Sequence, residues 1–317
     1  MLSRVANSIY WMNRYIERAE NYARFLDVNF NLTLEQATNT EELWRPLIIT
    51  TGDWDTFITL YDAPTKTNAI KFLGFDEENP NSIYNCIINA RENARAIRPE
   101  ITKELWEQIN YMYFFVREGN EKKKWRKQDP REFFNEVKKS CHLFYGIMTA
   151  TISRNNGWHI GHIGRLLERG DKTSRILDVK CHTLLPKNAP EAAALDIVQW
   201  AALLKSVSAY DMYRKKHGSL TANKVLEFLI FDEEFPRSVA RCVIQASVSV
   251  SKLSGRDTGY CDEIDEAFMK LCLYLRQTNL DDVFEMGLHE YLDDFQMKLI
   301  EVSNVIYDTI FSKTRTF

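Results

Sequence analysis

"RYIERAENYARFLDV", Arg14 to Val28, and "RLLERGDKTSRILDV", Arg165 to Val179, align without a gap. Arg14, Glu17, Arg18, Arg24, Leu26, Asp27 and Val28 meet Arg165, Glu168, Arg169, Arg175, Leu177, Asp178 and Val179. The residues between them recur at helical spacing. Val5, Ile9, Met12, Ile16, Ala19, Ala23 and Leu26 alternate three and four apart, as a core-facing helical stripe does. Tyr15 and Tyr22 widen the apolar face, so much of the first helix is expected to be buried.

The repeat extends outward from this pair. Upstream, with one residue inserted, Ser3-Arg4 meets Ser153-Arg154. Downstream, "FLGFDEENPNSIYNCII" (Phe72 to Ile88) meets "FLIFDEEFPRSVARCVI" (Phe228 to Ile244), with Trp44 on Trp200 and Asp55 on Asp211 between the blocks. The spacing predicts two copies, 1–150 and 151–317, a period too long for a solenoid unit and suited to a tandem domain. The expected fold is all-α: two tandem duplicated helical bundles packed with pseudo-twofold symmetry.

Bulk properties agree with that class. The chain has 317 residues, 45% of them hydrophobic, with only 12 Gly and 8 Pro, which favours long helices over strands and turns. Pro80 and Pro236 are expected to start helices just after Asp-Glu-Glu runs, whose carboxylates suit a helix N-terminus. Pro130 is expected to open another long helix, with 291–311 as its counterpart at the end of the second copy.

Several function classes are disfavoured. A net charge of −3 argues against a general nucleic-acid binder. The basic run Lys122-Lys123-Lys124-Trp125-Arg126-Lys127 reads as a solvated loop. Cys86, Cys141, Cys181, Cys242, Cys261 and Cys272 form no Cys-x-x-Cys pair, which suggests reduced thiols. No stretch approaches the roughly 20 apolar residues of a membrane helix, and no signal core opens the chain, so a cytoplasmic protein is the expectation. His159 and His162 lack matching zinc ligands, and Cys141-His142 and Cys181-His182 are adjacent pairs that cannot form a nucleophile–base dyad on a helix. No metal and no cofactor are expected.

The charged stripe is the main candidate site. At 100° per residue, Arg14, Glu17, Arg18, Asn21 and Arg24 share an arc of roughly 120°. Glu20 with Arg24, and Asp171 with Arg175, can pair four residues apart. Arg14 with Arg18, and Arg165 with Arg169, are like charges at that spacing, so other negative groups are needed nearby. One source is internal: Glu17 reaching Arg169 while Glu168 reaches Arg18, a network that fixes packing. The other is a bound carboxylate or phosphate gripped by guanidinium forks. On the residues alone the internal network is the stronger, since ion-pair networks arise without function. A second cluster, Arg91, Asn93 and Arg95 in "ARENAR", is replaced by "ASVSVS" at 246–251. It is either a solvated helix face or the working end of a site confined to the first copy.

Together, "LSRVANSIYWMNRYIERAENYARFLDV" (Leu2 to Val28), "NPNSIYNCIINARENARAIR" (Asn79 to Arg98) and "TISRNNGWHIGHIGRLLERGD" (Thr151 to Asp171) resemble the alpha-E family. This is a bacterial all-helical domain named for its Glu-Arg motif and usually duplicated in tandem. The family's motif falls on Glu17-Arg18 and Glu168-Arg169; Gly170 stands where a small alanine normally follows. The resemblance implies a setting. Such domains occur beside, or fused to, circularly permuted ATP-grasp ligases, and accompany transglutaminase-like proteases and amino-terminal-nucleophile peptidases. Those neighbours imply a system that makes or modifies peptides. The preferred reading is a non-catalytic partner that binds the ligase or its peptide substrate, with no nucleic acid and no membrane expected from charge and hydropathy. An enzyme using a buried glutamate as general base, or a purely structural scaffold, are the alternatives.

Overall fold

Helix starts in this chain carry their own chemical signals, and the computed structural model uses most of them. It describes residues 1–35, 40–123, 126, 129–184, 192–253 and 261–312, with 33–35, 40–43, 179–184, 192–196 and 261 described by backbone alone. Lys124, Trp125 and Lys127 of the basic run, and the side chains of Cys181, His182 and Cys261, lie outside the described residues. Every regular element among the described residues is helical. The helices are α1 (Ser3–Glu35), α2 (Thr40–Thr51), α3 (Trp54–Leu60), α4 (Lys66–Gly74), α5 (Ile83–Ala96), α6 (Lys103–Glu121), α7 (Pro130–Thr151), α8 (Asn156–Leu184), α9 (Ala192–Ser206), α10 (Tyr210–His217), α11 (Ala222–Ile230), α12 (Val239–Leu253), α13 (Cys261–Gln277), α14 (Leu280–Met286) and α15 (Leu288–Ile306). The all-α expectation is met.

Thr65, Ser82 and Thr102 cap α4, α5 and α6 by accepting a backbone N–H with their hydroxyl oxygens. Asp129 caps α7, and Pro130 takes its first position as expected, where a missing N–H costs nothing. Asn279 and Asp282 form a capping box at α14. Two expectations need correction. Pro80 and Pro236 precede the helices rather than open them. The Ser82 hydroxyl accepts from Asn85 N at 3.1 Å and the Ser238 hydroxyl from Arg241 N at 3.1 Å, so the serine two residues on is the cap. The acidic runs serve the turn before it: Asp76 Oδ1 accepts from Glu78 N, and Asp232 Oδ1 from Glu234 N and Phe235 N.

The chain forms two compact units: Met1–Glu168 with Ile310–Phe317, and Arg169–Thr309. This division falls inside α8, whereas the 150/151 boundary marks where the sequence repeats. In the first unit α1 packs on α5 and α7, and α6 packs on the same two helices, so the four close a ring around one core. Ile9, Met12, Ile16, Ala19, Ala23 and Leu26 of the expected stripe are buried, joined by Tyr10, Tyr22 and Phe25. Val5 is half-buried. In the second unit α13 packs against both α12 and α15, over Phe268, Leu271, Tyr291 and Phe295. Among the described residues, no helix is long and apolar enough to cross a membrane.

Candidate functional site

Close approach of two helices builds the site. A Cβ at Gly164 of α8 would stand 2.7 Å from the Tyr10 carbonyl oxygen, and one at Gly161 would stand 2.5 Å from Asn13 Nδ2. At Gly164 only glycine admits the α1 backbone so near, while at Gly161 a larger residue would have to push the Asn13 side chain aside. The next turn of α8 then carries Arg165 and Glu168 against the arginine face of α1.

There Glu168, with no exposed surface, is bound from two sides. Arg14 Nε donates to its Oε2 at 2.9 Å, Arg18 Nε to Oε1 at 2.7 Å and Arg18 Nη2 to Oε2 at 3.0 Å. Two cations four residues apart thus share one carboxylate, which removes the repulsion expected between them. The reciprocal pair exists as well: Arg165 Nε lies 3.5 Å from Oε2 of the equally buried Glu17, and its guanidinium rests 3.7 Å from the centre of the Tyr145 ring. The Glu168–Arg18 half of the expected exchange is present within this unit, and Arg14 and Arg165 take part in it. The Glu17–Arg169 half remains an expectation.

The network continues inward through groups that sequence reasoning passed over. Arg18 Nη1 donates to Asn81 Oδ1, Asn81 Nδ2 donates to Asp53 Oδ1 at 2.7 Å, and Tyr22 donates to Asp53 Oδ2 at 3.1 Å. Arg14 Nη1 donates to Tyr10 Oη at 3.1 Å. Burial alone would lower the Arg18 pKa, but the charge and hydrogen bonds of Glu168 outweigh it and hold it well above the usual value. Burial, reinforced by Asp53, pushes the Tyr22 phenol well up, which keeps it a donor. Glu168 meets Arg14 and Arg18, Glu17 meets Arg165, and Asp53 is linked to Arg18 through Asn81. At Arg14, Arg18 and Arg165 the fold itself brings carboxylates to the guanidiniums.

A second seam lies along α1 and α7. Glu20 binds Arg24 and stands 3.3 Å from the exposed His142, and Asp27 binds Lys138 at 2.6 Å. In the second unit Asp171 holds Lys172 at 3.0 Å and Arg175 at 2.9 Å, and Arg169 donates to the Pro236 carbonyl at 3.5 Å. Asp178, the counterpart of Asp27, is bonded by His289 at 2.6 Å. That bond outweighs the small desolvation penalty and raises the His289 pKa.

The "ARENAR" residues work elsewhere. Arg91 donates to Asn110 of α6 at 2.8 Å and lies against the Tyr113 and Trp106 rings, clamping α5 to α6. Arg95 pairs with Glu92 at the surface, and Asn93 bonds its own helix at Asn89 O. Arg4 is exposed, and Arg154 is exposed with its guanidinium 5.1 Å from the Trp158 ring centre. Trp158 also stacks on His162. Cys86, Cys141 and Cys242 are buried thiols. Asn81 and Asp53 were hidden because neither is repeated in the second copy, where Arg237 and Ala209 occupy their places. Gly161 and Gly164 offered a signal: glycine recurs inside an otherwise helical pattern.

Chemically, both Glu-Arg glutamates are enclosed and engaged by guanidiniums. Neither is open to abstract a proton from a substrate in this arrangement, whereas both are placed to lock α1 to α8. Compared with known proteins, the chain matches over residues 1–311 the model of a family described as a predicted alpha-helical domain with a conserved ER motif. It is similar to an uncharacterized protein of Mycobacterium bovis and to two of Mycobacterium tuberculosis. Each is 24% identical over 344 residues, covering 96% of this chain and 36% of theirs. The chain therefore spans about a third of the length of these curated relatives. No solved structure matches it.

Proposed function

The chain belongs to the Alpha-E family, and on that premise we propose that it is a non-catalytic partner subunit of an ATP-grasp-dependent system that makes or modifies peptides. The observation that carries this is the enclosure of Glu17 and Glu168 by arginines, with no exposed surface on either glutamate. It weakens the general-base alternative and gives the Glu-Arg motif a packing role, which leaves the protein's outer surfaces for binding. The relatives' greater length supports the same reading, because there this region is one part of a longer polypeptide. The proposed partners are a circularly permuted ATP-grasp ligase and a transglutaminase-like protease, the associations implied by the family resemblance. The two copies are proposed to descend from one duplicated bundle.

Mixing the purified chain with a circularly permuted ATP-grasp ligase from the same organism, followed by sedimentation and hydrogen exchange, tests the proposal. A complex at micromolar concentration, with helix faces of this chain protected, is the expected result. Absence of a complex at about 100 μM, where even a Kd near 100 μM (about −5.5 kcal/mol) would show, defeats it. Arg18→Lys is expected to lower stability while leaving affinity for the ligase intact; turnover of a peptide by the chain alone, lost in Glu168→Gln, would restore the enzyme reading.

A further inference from the structure

At the end of the first unit where α1 and α8 begin and α5 and α7 finish, a cleft of about 380 Å³ opens. Its apolar wall is made by Ile9, Met12, Ile101, Met148, Ile152 and Trp158. Two methionines and a tryptophan stand among three isoleucines, a combination that accepts apolar groups of varied shape. None of these residues belongs to the Glu-Arg network, and Glu168 and Glu17 do not line the cleft.

The polar edge is asymmetric. Arg154 lies over the Trp158 ring, and Arg98 donates to the carbonyl of Ile101 at 3.2 Å, so two guanidiniums sit beside wall residues. Arg4, exposed on the first turn of α1, stands between the wall residues Met1 and Ile9 in sequence. Asn156 and Gly157, also in the wall, form the start of α8, where the helix dipole adds positive potential. Glu100 is the one carboxylate in the wall. The Trp158 indole N–H, buried in that wall, has no acceptor among the described residues. Apolar walls and a cationic edge fit an apolar group attached to an anionic one.

We propose that this cleft binds the C-terminal end of a peptide, an apolar side chain entering between Met12, Met148 and Trp158 and the terminal carboxylate meeting Arg154 and the start of α8. The choice of a peptide rests on the partner reading above; the apolar-plus-anion chemistry rests on the cleft alone. Failure here leaves the ligase complex untouched, and failure of that complex leaves the cleft intact, so the two are told apart.

The test uses the full chain labelled with methyl-¹³C methionine, with Met12 and Met148 assigned by Met→Leu variants. N-acetyl-glycyl-leucine is titrated as its acid and as its C-terminal amide, with octanoate as a third arm. The acid is expected to shift the Met12 and Met148 methyls with a millimolar Kd, the amide to bind at least five-fold more weakly, and Arg154→Gln to abolish that preference. Four results overturn the proposal: no shift at about 20 mM, equal binding of acid and amide, shifts confined to Met212, Met269, Met286 and Met297 of the second unit, or octanoate binding as well as the peptide, which would mark a fatty-carboxylate site instead.

Discussion

Replacing Glu168 by Gln tests the packing role directly. The side chain keeps its size, and its remaining carbonyl can take the place of Oε1 and accept from Arg18 Nε. The amide nitrogen cannot accept, so the bonds from Arg14 Nε and Arg18 Nη2 are lost. Hydrogen bonds to charged groups contribute about 1.5–3 kcal/mol each, which puts two of them at about 3–6 kcal/mol. Removing one partner of a buried ion pair costs about 3–5 kcal/mol. Arg14 and Arg18 retain 13% side-chain exposure and their contacts to Tyr10 and Asn81, which draws the expectation to about 3–5 kcal/mol. At about 2–4 °C per kcal/mol for a domain of this size, that is a fall in Tm of about 6–20 °C. Two compact units can melt separately, so calorimetry should show the loss on one transition and leave the other in place. Glu92→Gln, at a surface pair with 41% exposure on the glutamate, is the control and should cost less than about 1 kcal/mol. A Glu168→Gln loss below about 1 kcal/mol, or a gain, would refute the claim that this carboxylate neutralises both arginines.

Other expectations follow from single contacts. Gly164→Ala should destabilise by more than about 1 kcal/mol, because its Cβ meets a backbone oxygen that cannot move aside, whereas Gly170→Ala meets only Cys242 Cβ at 3.5 Å and should stabilise by about 0.5–1 kcal/mol; urea midpoints compare them. Ser82→Ala should cost about 1 kcal/mol as a lost cap, while Pro80→Ala, outside the helix, should be within about 0.5 kcal/mol of neutral. His289 has its pKa raised by Asp178, so its contribution is full below the unfolded value and fades as pH rises through the folded one. The stability gap between wild type and His289→Gln should therefore shrink from pH 5.5 to pH 8.5, and a gap that widens would contradict the bond's assigned role.

The helices of this protein were legible because their signals are local. A stripe such as Ile9, Met12, Ile16, Ala19, Ala23 and Leu26 repeats at the helical period, and Pro130 marks a start within one turn. The Glu20–Arg24 and Asp171–Arg175 pairs follow from four-residue spacing for the same reason. Local rules also misled. Pro80 and Pro236 suggested helix starts, but the serine hydroxyls at 82 and 238 could satisfy exposed N–H groups, which a proline ring cannot. The Arg91–Arg95 spacing left a solvated face and a site equally open, and the fold shows Arg91 bonded both to Asn110 of α6 and to Glu92 of its own helix.

From sequence alone came the all-helical class, the repeated segments and the need for negative charge beside Arg14 and Arg18. Which carboxylate answers that need was decided by tertiary structure, because Glu168 lies 154 residues from Arg14 and arrives only when Gly161 and Gly164 let α8 settle against α1. The same holds for Asn81 and Asp53, which lie in turns far apart in sequence and meet each other and α1 only in the folded chain. Helical periodicity reports which side of a rod is apolar; it says nothing about which distant rod will face its charged side, since that pairing depends on the packing of the whole core.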